Sequence, residues 1–388
     1  MRFPLFTDTT RSGEVKDVPV KVLQVLGAMN QGGAETMMMN VFRQIDREQF
    51  QFDFLSYSSE KAYYDDEIRA LGGRIIYMDS PQKLGAFRFV TRLGKIIRAG
   101  HYDVVHAHTL YSIGLILAAA WRGRAKIRIA HAHANGDTPT GWKRRIYQRA
   151  MKLLVRLFST RWMACSRGTG EYFFGKAFGE KGEVVQNGIR MESFEALGAG
   201  SPAAFREKNG LPADAWIIGQ VGTMNEVKNY PFSVGLAQKL REKGEHFRML
   251  FMGDGPEEES IRALCREKGV EDRVVFLGRR PDTAEWMQGF DVLICPSVYE
   301  GFGNVVLEAQ AAGTAAVVSD RLTPDVDMDL GLVTYLPLEA EAEVWIEALR
   351  KASAQKREDN AACLQRIREK GYDAPSSAGR IAKAYLGR

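Results

Sequence analysis

Short apolar runs recur along the chain and alternate with longer segments in which apolar and polar residues are mixed. In the first half they include VKVLQVL, DVVHAH and IRIAHAH, and after Pro202 they include AWIIGQVG, RMLFMGDG and DVLICPS. Runs with so few polar positions, separated by segments of helical length, are typical of parallel strands whose sheet is covered by helices on both faces. The pattern therefore predicts two doubly wound α/β domains.

A stretch rich in glycine, alanine and proline, at residues 196–202, lies between the two series of strands. Such a composition marks a linker, so we predict an N-terminal domain over residues 1–198 and a C-terminal domain over residues 199–371. Ligands of doubly wound sheets bind beyond the carboxyl ends of the strands. The loops that follow the strands are therefore the candidate site.

Three of these loops carry residues suited to a phosphorylated ligand. Gly32 and Gly33 follow the first strand where a helix begins, so a ligand could approach the backbone, although a tight turn would use the same pair. Lys228 offers a point charge to a phosphate, or is an ordinary surface lysine. Gly253 could let the backbone contact a sugar or a base, or could only turn the chain.

The stretch SVYEGFGNVVLEAQAAG, directly after the strand DVLICPS, carries the strongest signal. It predicts a loop and then a short helix that ends at Gly313. The N–H groups at the start of this helix, those of Phe302, Gly303 and Asn304, are placed to hold a diphosphate at its positive end.

Two glutamates belong to the same stretch. Glu308 lies one turn inside the predicted helix, on the side of Asn304, where its carboxylate could accept hydrogen bonds from the two hydroxyls of a ribose. Glu300 precedes the helix and would reach the group beyond the phosphates. We interpret the stretch as a site for a nucleotide-diphosphate sugar, and the alternative is an exposed helix with two incidental acids.

Composition and charge narrow the class of protein further. The four cysteines are widely spaced with no C-x-x-C pair, which favours a reducing compartment and argues against a structural zinc. The formal net charge of +5 is mild, and we expect no nucleic-acid partner. No run reaches the roughly 20 apolar residues of a membrane span, and the first residues lack the apolar core of a signal peptide. We therefore expect a cytoplasmic protein.

A basic amphipathic helix is predicted over residues 141–159, GWKRRIYQRAMKLLVRLFS. Its basic stripe consists of Arg145, Arg149, Lys152 and Arg156. The apolar side consists of Tyr147, Ala150, Met151, Leu154 and Phe158, widened by Trp142, Ile146, Leu153 and Leu157. Such a helix could lie on an anionic membrane surface, or it could be an ordinary domain helix with a solvated basic face.

Several motifs together resemble glycosyltransferase family 4. In the second half they are VVQNGI, VGTMNEVKN, FMGDGP, FLGRRPDTAEWM and EGFGNVVLEAQAAG, in this order. In the first half GAMNQGGAETMMMN, HAHTLYSIG, RIAHAHAN and CSRGTGEYFFG are similar to bacterial members that build exopolysaccharides, capsules and O-antigens. The resemblance spans residues 20–385. It implies the GT-B fold, with two facing Rossmann-like domains, a cleft between them, and a last helix, about 372–388, that packs back on the first domain.

The resemblance also implies an activity. Such enzymes are retaining, metal-independent transferases of hexosyl or N-acetylhexosaminyl groups. They use a UDP- or GDP-linked donor without a further cofactor and act on a glycan or a lipid-linked acceptor at the inner face of the membrane. Lys228 then matches the residue that neutralises the diphosphate, Glu308 the ribose ligand and Glu300 the ligand of the donor sugar. His133 fits a histidine that contacts the donor sugar, with His131 as the second candidate and a structural histidine as the alternative.

One position departs from the family pattern. Thr223 stands where an arginine is usual, and a hydroxyl cannot neutralise a phosphate as a guanidinium does. Lys228 must then neutralise more of the charge, helped by backbone amides or by Arg279 or Arg280. Two other functions stay open. One is a GT-B nucleotide-sugar epimerase, which the chain resembles less well because the block from EGFG to EAQ is a transferase feature, and the other is a non-enzymatic binder of sugar nucleotides, which Thr223 makes conceivable.

Overall fold

The protein is described by a computed structural model over residues 18–109, 112–133, 141–197, 202–355 and 359–388. Two compact units are present. The first comprises the described residues up to Gly188 together with Ala374–Arg388, and the second comprises the described residues of Ile189–Asp373. The first boundary lies before the predicted one at residue 198, because the short helix that starts at Glu192 belongs to the second unit, where Glu195 pairs with Arg368.

The first unit is a parallel sheet with helices between its strands. Its elements up to Gly188 are β1 (Val20–Gly27), α1 (Gly33–Gln44), β2 (Phe50–Ser56), α2 (Asp65–Ala70), β3 (Arg74–Tyr77), α3 (Pro81–Leu84), α4 (Ala86–Gly100), β4 (Val104–Ala107), α5 (Ile113–Arg122), β5 (Ile127–Ala132), α6 (Trp142–Phe158), β6 (Arg161–Ala164), α7 (Arg167–Phe174), α8 (Phe178–Lys181) and β7 (Gly182–Val184). In the described ranges the sheet has seven strands in the order β3-β2-β1-β4-β5-β6-β7. The order reverses between β1 and β4, whose carboxyl ends are therefore the expected ligand edge of this unit.

The second unit repeats the architecture. Its elements are α9 (Glu192–Glu195), α10 (Pro202–Lys208), β8 (Trp216–Val221), α11 (Tyr230–Glu242), β9 (Phe247–Met252), α12 (Glu258–Glu267), β10 (Val274–Gly278), α13 (Thr283–Gly289), β11 (Val292–Cys295), α14 (Asn304–Ala311), β12 (Ala316–Ser319), a 3-10 turn (Pro324–Val326), β13 (Val333–Leu336), α15 (Ala342–Ser353) and α16 (Asn360–Glu369). Over the described residues its sheet has six parallel strands in the order β10-β9-β8-β11-β12-β13, which reverses between β8 and β11.

Both sheets are buried on their two faces, which explains the apolar runs of the sequence. In β4 and β11, for example, every residue is buried. Parallel strands of this kind cannot present an alternating polar face to water, so their sequences lose the two-residue period. The predicted pair of doubly wound α/β domains is confirmed.

The last helix, α17 (Ala374–Tyr385), belongs to the first unit. Its residues Ala378, Ile381, Ala384 and Tyr385 are buried in the same apolar core as α1 and β2. The ring of Tyr385 makes edge and tilted contacts with those of Phe50 and Phe52, at centroid distances of 5.9 Å and 5.8 Å. The chain therefore returns to the first unit after completing the second.

The helix α6 presents apolar residues in two directions. Met151 and Val155 are buried, and a Cβ on Gly114 of α5 would lie 2.8 Å from the carbonyl oxygen of Met151, so the two helices are in close contact. Trp142, Ile146, Leu153 and Leu157, however, are 67%, 56%, 57% and 63% exposed. The sequence pattern predicts that these four residues widen the apolar side, but in the structure they form an outward stripe with i, i+4, i+11, i+15 spacing.

None of the helices in the described ranges is both long enough and apolar enough to cross a membrane.

Candidate active site

Two predicted site residues meet at the point where the strand order of the second unit reverses. Lys228 lies in the loop between β8 and α11, and Glu300 lies in the loop between β11 and α14. The Nζ of Lys228 donates a hydrogen bond to Oε1 of Glu300, and Ser297 Oγ donates to the same oxygen at 3.2 Å. Both charged side chains are largely buried, with 20% and 14% exposure. The geometry brings a cation and a carboxylate together at the expected ligand edge of this sheet.

Backbone contacts hold the two loops in place. The N–H of Val298 donates to the carbonyl of Val227 at 2.8 Å, and Gln220 Nε2 donates to the carbonyl of Lys228 at 2.8 Å. Gly222 has a positive φ of 149°, and a Cβ at this position would lie 3.0 Å from Cε of Lys228. The glycine before Thr223 therefore leaves room for the lysine side chain.

The charges at this site are strongly coupled. Burial opposes the positive charge of Lys228, but the negative charge of Glu300, with a smaller contribution from Glu308, raises its pKa above the ordinary value. Burial raises the pKa of Glu308 to about 7, although Lys228 and Arg190 favour its ionised form. Glu308 therefore titrates near neutral pH, whereas the nearby Lys228 stays protonated. Such shifted pKa values in neighbouring groups are typical of functional sites.

The helix α14 begins where the sequence predicts it. Gly303 precedes it with φ 92° and ψ 54°, a left-handed conformation that favours glycine. Phe302 is buried, and its ring stacks on that of Tyr372 at a centroid distance of 5.0 Å. These contacts fix the first turn, whose N–H groups form the positive end of the helix dipole. Asn304 opens the helix, and Glu308 lies one turn further along, partly buried.

Arg279 and Arg280, the two arginines predicted to help Lys228, already have ion-pair partners. Thr223 is exposed. Arg279 holds both carboxylate oxygens of Asp254, and the N–H of Met224 donates to the carbonyl of Asp254 at 2.8 Å, so Arg279 lies alongside the loop of Thr223. Arg280 instead forms a two-point ion pair with Asp282. Of the two arginines, Arg279 is therefore the one positioned near the site.

Gly253 has a packing role that sequence reasoning missed. Its φ is 135°, and a Cβ here would lie 2.0 Å from the carbonyl oxygen of Gly222. The loops after β8 and β9 consequently touch through two glycines. The close approach observed at Gly253 is to the neighbouring loop, and the contact of Gly253 with a sugar or a base remains a prediction.

In the first unit, Gly32 and Gly33 lie at the start of α1. A Cβ on Gly32 would lie 2.2 Å from Oε2 of Glu35. Glycine at this position therefore leaves space for the carboxylate of Glu35. Burial raises the pKa of Glu35 to about 7. Glu35 was missed from the sequence, where GGAET drew attention to its glycines alone.

His131 and His133 belong to a cluster of four histidines at the carboxyl ends of β4 and β5. His108 Nδ1 and His133 Nε2 are 2.8 Å apart, and His106 Nε2 and His131 Nδ1 are 3.1 Å apart. Burial lowers the pKa of His133 to about 3. His106 and His108 were not predicted as site residues. The repeated pattern H-A-H after two successive strands was the available signal, because alternate residues of adjacent parallel strands share a face.

Ring nitrogens of His106, His108 and His131 lie within 4.8 Å of one another, which is close enough for a shared metal ion. A nitrogen of each of these three rings already takes part in the hydrogen bonds just described. The absence of a metal and of a cofactor stays a prediction.

Two family models cover most of the chain. The model for "Glycosyltransferase Family 4" matches residues 31–193, and the model for "Glycosyl transferases group 1" matches residues 202–367. Solved structures show the same architecture. HepE of Anabaena in complex with UDP matches with a TM-score of 0.76 at 19% identity, over 95% of this chain and 100% of that chain. WaaG, a glycosyltransferase involved in lipopolysaccharide biosynthesis, matches with a TM-score of 0.72 at 18% identity, over 95% and 100%. The fold is therefore of the GT-B type.

Among curated relatives, the putative glycosyltransferase EpsF of Bacillus subtilis (strain 168) is 38% identical over 372 residues, which are 94% of this chain and 96% of that protein. The capsular polysaccharide biosynthesis glycosyltransferase CapH of Staphylococcus aureus is 22% identical over 87% of this chain and 92% of its own length. The chain belongs to glycosyltransferase family 4, and the resemblance seen in its motifs is confirmed.

Proposed function

We propose that this glycosyltransferase is a retaining enzyme that moves a hexosyl or N-acetylhexosaminyl group from a nucleotide-diphosphate sugar to a glycan or a lipid-linked acceptor in the synthesis of a cell-surface polysaccharide. The observation that carries the proposal is the buried contact of Lys228 with Glu300, beside the first turn of α14. A uridine nucleotide is favoured over a guanosine nucleotide, because HepE has been solved with UDP and with UDP-glucose.

The chemistry of the proposed reaction follows from where charge develops. Departure of the nucleoside diphosphate leaves positive charge on the sugar ring and negative charge on the β-phosphate. Lys228 and the N-terminus of α14 are the positive groups on the second unit that would stabilise the phosphate charge. Glu308, one turn inside the helix, would hold the ribose hydroxyls. Glu300 would exchange its contact with Lys228 for hydroxyls of the donor sugar when the diphosphate engages the lysine.

A panel of nucleotide sugars, offered with and without a polyprenyl-diphosphate-linked acceptor, tests this function. We expect release of UDP or GDP that depends on the acceptor, together with a product larger by one sugar. A changed sugar without an acceptor would indicate an epimerase. A raised melting temperature with no turnover for any pair would indicate a protein that only binds sugar nucleotides.

Thr223→Arg is expected to tighten the binding of the free nucleoside diphosphate about tenfold, because a guanidinium adds a charge-assisted hydrogen bond worth about 1.5 kcal/mol. Titration calorimetry with UDP measures the change. Thr223→Lys is the matched control, since it adds the charge without the two-point geometry and should gain less. If both variants bind UDP no better than the parent, Arg279 already fills this position, and Arg279→Gln should weaken binding instead.

The helix α6 suggests how a lipid-linked acceptor is approached. Its outward stripe of Trp142, Ile146, Leu153 and Leu157 is flanked by the exposed residues Arg145, Arg149 and Arg156. An apolar stripe bordered by cations suits the boundary between anionic headgroups and acyl chains. Lys152, a predicted member of the basic stripe, donates a hydrogen bond to the carbonyl of Tyr172 at 3.1 Å within the first unit.

We therefore expect salt-sensitive binding to vesicles that contain phosphatidylglycerol, weakened at least tenfold when Arg145, Arg149 and Arg156 are all changed to Gln, since each contributes about 1 kcal/mol near the surface. Co-sedimentation at low and high salt measures it. The control variant changes Lys239, Lys243 and Lys351 of the second unit to Gln and loses the same charge. If the parent stays in the supernatant at low salt, or both variants lose binding equally, α6 does not direct the contact.

A further inference from the structure

Six buried or partly buried polar side chains form one hydrogen-bonded network in the first unit. Its members are Gln24, His106, His108, His131, His133 and Tyr385. They come from β1, from the carboxyl ends of β4 and β5, and from the last turn of α17. Gln24 and His106 lie opposite each other in the register of β1 and β4. The network therefore joins the ligand edge of this sheet to the last helix.

All four histidines are held neutral. Burial lowers the pKa of His133 to about 3, and burial with the neighbouring imidazoles lowers the pKa of each of the other three well below the ordinary value. A neutral imidazole carries one proton, so one nitrogen donates and the other accepts. The location of each proton is then decided by its hydrogen-bond partners.

One arm of the network starts at the amide nitrogen of Gln24. Nε2 of Gln24 donates to the hydroxyl of Tyr385 at 2.7 Å, so the single proton of that hydroxyl is given to His106 Nδ1, also at 2.7 Å. His106 must then carry its proton on Nε2 and donate it to His131 Nδ1 at 3.1 Å. His131 consequently has its own proton on Nε2. Among the described residues this N–H has no acceptor.

The other arm starts at the amide oxygen of Gln24. This oxygen can only accept, so His108 donates from Nε2 at 3.0 Å. His108 Nδ1 then accepts from His133 Nε2 at 2.8 Å. His133 is left with a lone pair on Nδ1, which is enclosed and lacks a partner within the described ranges. The rings of His131 and His133 are stacked at a centroid distance of 4.1 Å, so the ring with the unused donor packs directly against the ring with the unused acceptor.

We infer that Gln24 and Tyr385 are positioning residues that set all four histidines in the Nε2–H tautomer and so present a hydrogen on His131 and a lone pair on His133 to one hydroxyl group. A hydroxyl can accept the first and donate to the second, whereas an ammonium group, a carbonyl or a carboxylate can satisfy only one of them. This inference rests on the proposed function for the identity of the hydroxyl, which belongs to a sugar. The positions of the protons follow from the network alone.

Nitrogen NMR of the protein labelled at histidine tests the proton positions without any substrate. The chain has six histidines, and the exposed His101 and His246 serve as internal references. Both tautomers have distinct ¹⁵N shifts, and we expect the four buried rings to be neutral and in the Nε2–H form. A buried ring that is Nδ1-protonated or charged at neutral pH would overturn the inference, as would one metal ion per chain that His106→Ala removes.

Gln24→Glu is the decisive variant, because a carboxylate accepts from both of its neighbours. Tyr385 would then donate to residue 24 and accept from His106, so His106 and His131 change to the Nδ1–H form, while His108 and His133 keep their protons. We expect this change in two of the four rings once the carboxyl is ionised, which its ¹³C shift reports. Spectra that retain four Nε2–H rings while that shift shows a carboxylate would show that Gln24 does not set the tautomers.

Tyr385→Phe tests the consequence for the reaction. We expect kcat for sugar transfer to fall at least tenfold with UDP affinity unchanged, because the nucleotide site lies in the second unit. Tyr102→Phe is the matched control, since it removes another buried hydroxyl of the same unit, one that donates to Asp53. Equal losses in the two variants would make the Tyr385 effect a structural one. If the parent enzyme transfers no sugar at all, the proposed function fails, and the NMR result still decides the tautomers.

Discussion

Lys228→Met is expected to lower kcat for sugar transfer by at least about 100-fold, which is the usual cost of removing one preorganised group that stabilises developing negative charge. Methionine keeps most of the length and the apolar stem of the side chain but carries no charge. The loss should appear in kcat measured at saturating donor, with a smaller change in the donor KM, because the charge on the leaving diphosphate grows in the transition state.

Two comparisons make this result specific. Lys239→Met removes an exposed lysine of α11 and should leave kcat unchanged. In the Lys228→Met protein, Glu300 keeps its contact with Ser297 but loses its positively charged partner. A buried carboxylate without a cation destabilises the fold. The double variant Lys228→Met, Glu300→Gln should therefore be more stable than Lys228→Met alone and equally inactive. A single Lys228→Met enzyme with kcat within about threefold of the parent would remove the lysine from the reaction.

Glu308→Gln should weaken the binding of UDP or GDP at least tenfold, because an amide accepts less strongly than a carboxylate from the two ribose hydroxyls, and charge-assisted hydrogen bonds contribute about 1.5 to 3 kcal/mol. Titration calorimetry measures the affinity. Glu347→Gln on α15, an exposed glutamate of the same unit, is the control and should bind normally. Unchanged nucleotide affinity in Glu308→Gln would mean that the ribose lies elsewhere.

The raised pKa of Glu308 provides a way to show that the weaker nucleotide binding of Glu308→Gln is not caused by unfolding. Because its folded-state pKa is raised from 4.5 to about 7, the folded protein holds more protons than the unfolded chain between these values, and its stability falls as the pH rises through that window. Glutamine cannot titrate and removes this contribution. The melting temperature of Glu308→Gln relative to the parent should therefore rise from pH 5 to pH 8, while its affinity for the nucleotide stays lower.

The functional stretch of the second unit could be predicted from the sequence because its site residues lie close together along the chain. The stretch around Glu300 and Glu308 is a loop before a helix, and a left-handed glycine, Gly303, sits at the joint, so position in the sequence nearly fixes position in space. The contact of Lys228 with Glu300, by contrast, joins loops 72 positions apart. It could be expected only because β8 and β11 are neighbours in a doubly wound sheet.

In the first unit, the polar network around His133 could not be predicted from the sequence. His133 was predicted from the family resemblance, but its partner His108 and the amide of Gln24 come from other strands, and Tyr385 comes from the far end of the chain. No local pattern marks a buried glutamine in an apolar strand as part of a polar network. The exposed stripe of α6 was missed for a related reason, since the periodicity of a helix tells which residues share a side but not which side meets the core.

The return of α17 to the first unit has a consequence for synthesis on the ribosome. Most N-terminal domains fold while the rest of the chain is still being made, but this one lacks a helix of its core until the residues after Asp373 have emerged. At about 5 to 20 residues per second, translation of the second unit takes on the order of ten seconds or more. During that interval the apolar surface of α1 and β2 has no permanent cover. A nascent chain arrested before Ala374 should therefore recruit chaperones and resist proteases poorly in its first unit, until the final helix closes it.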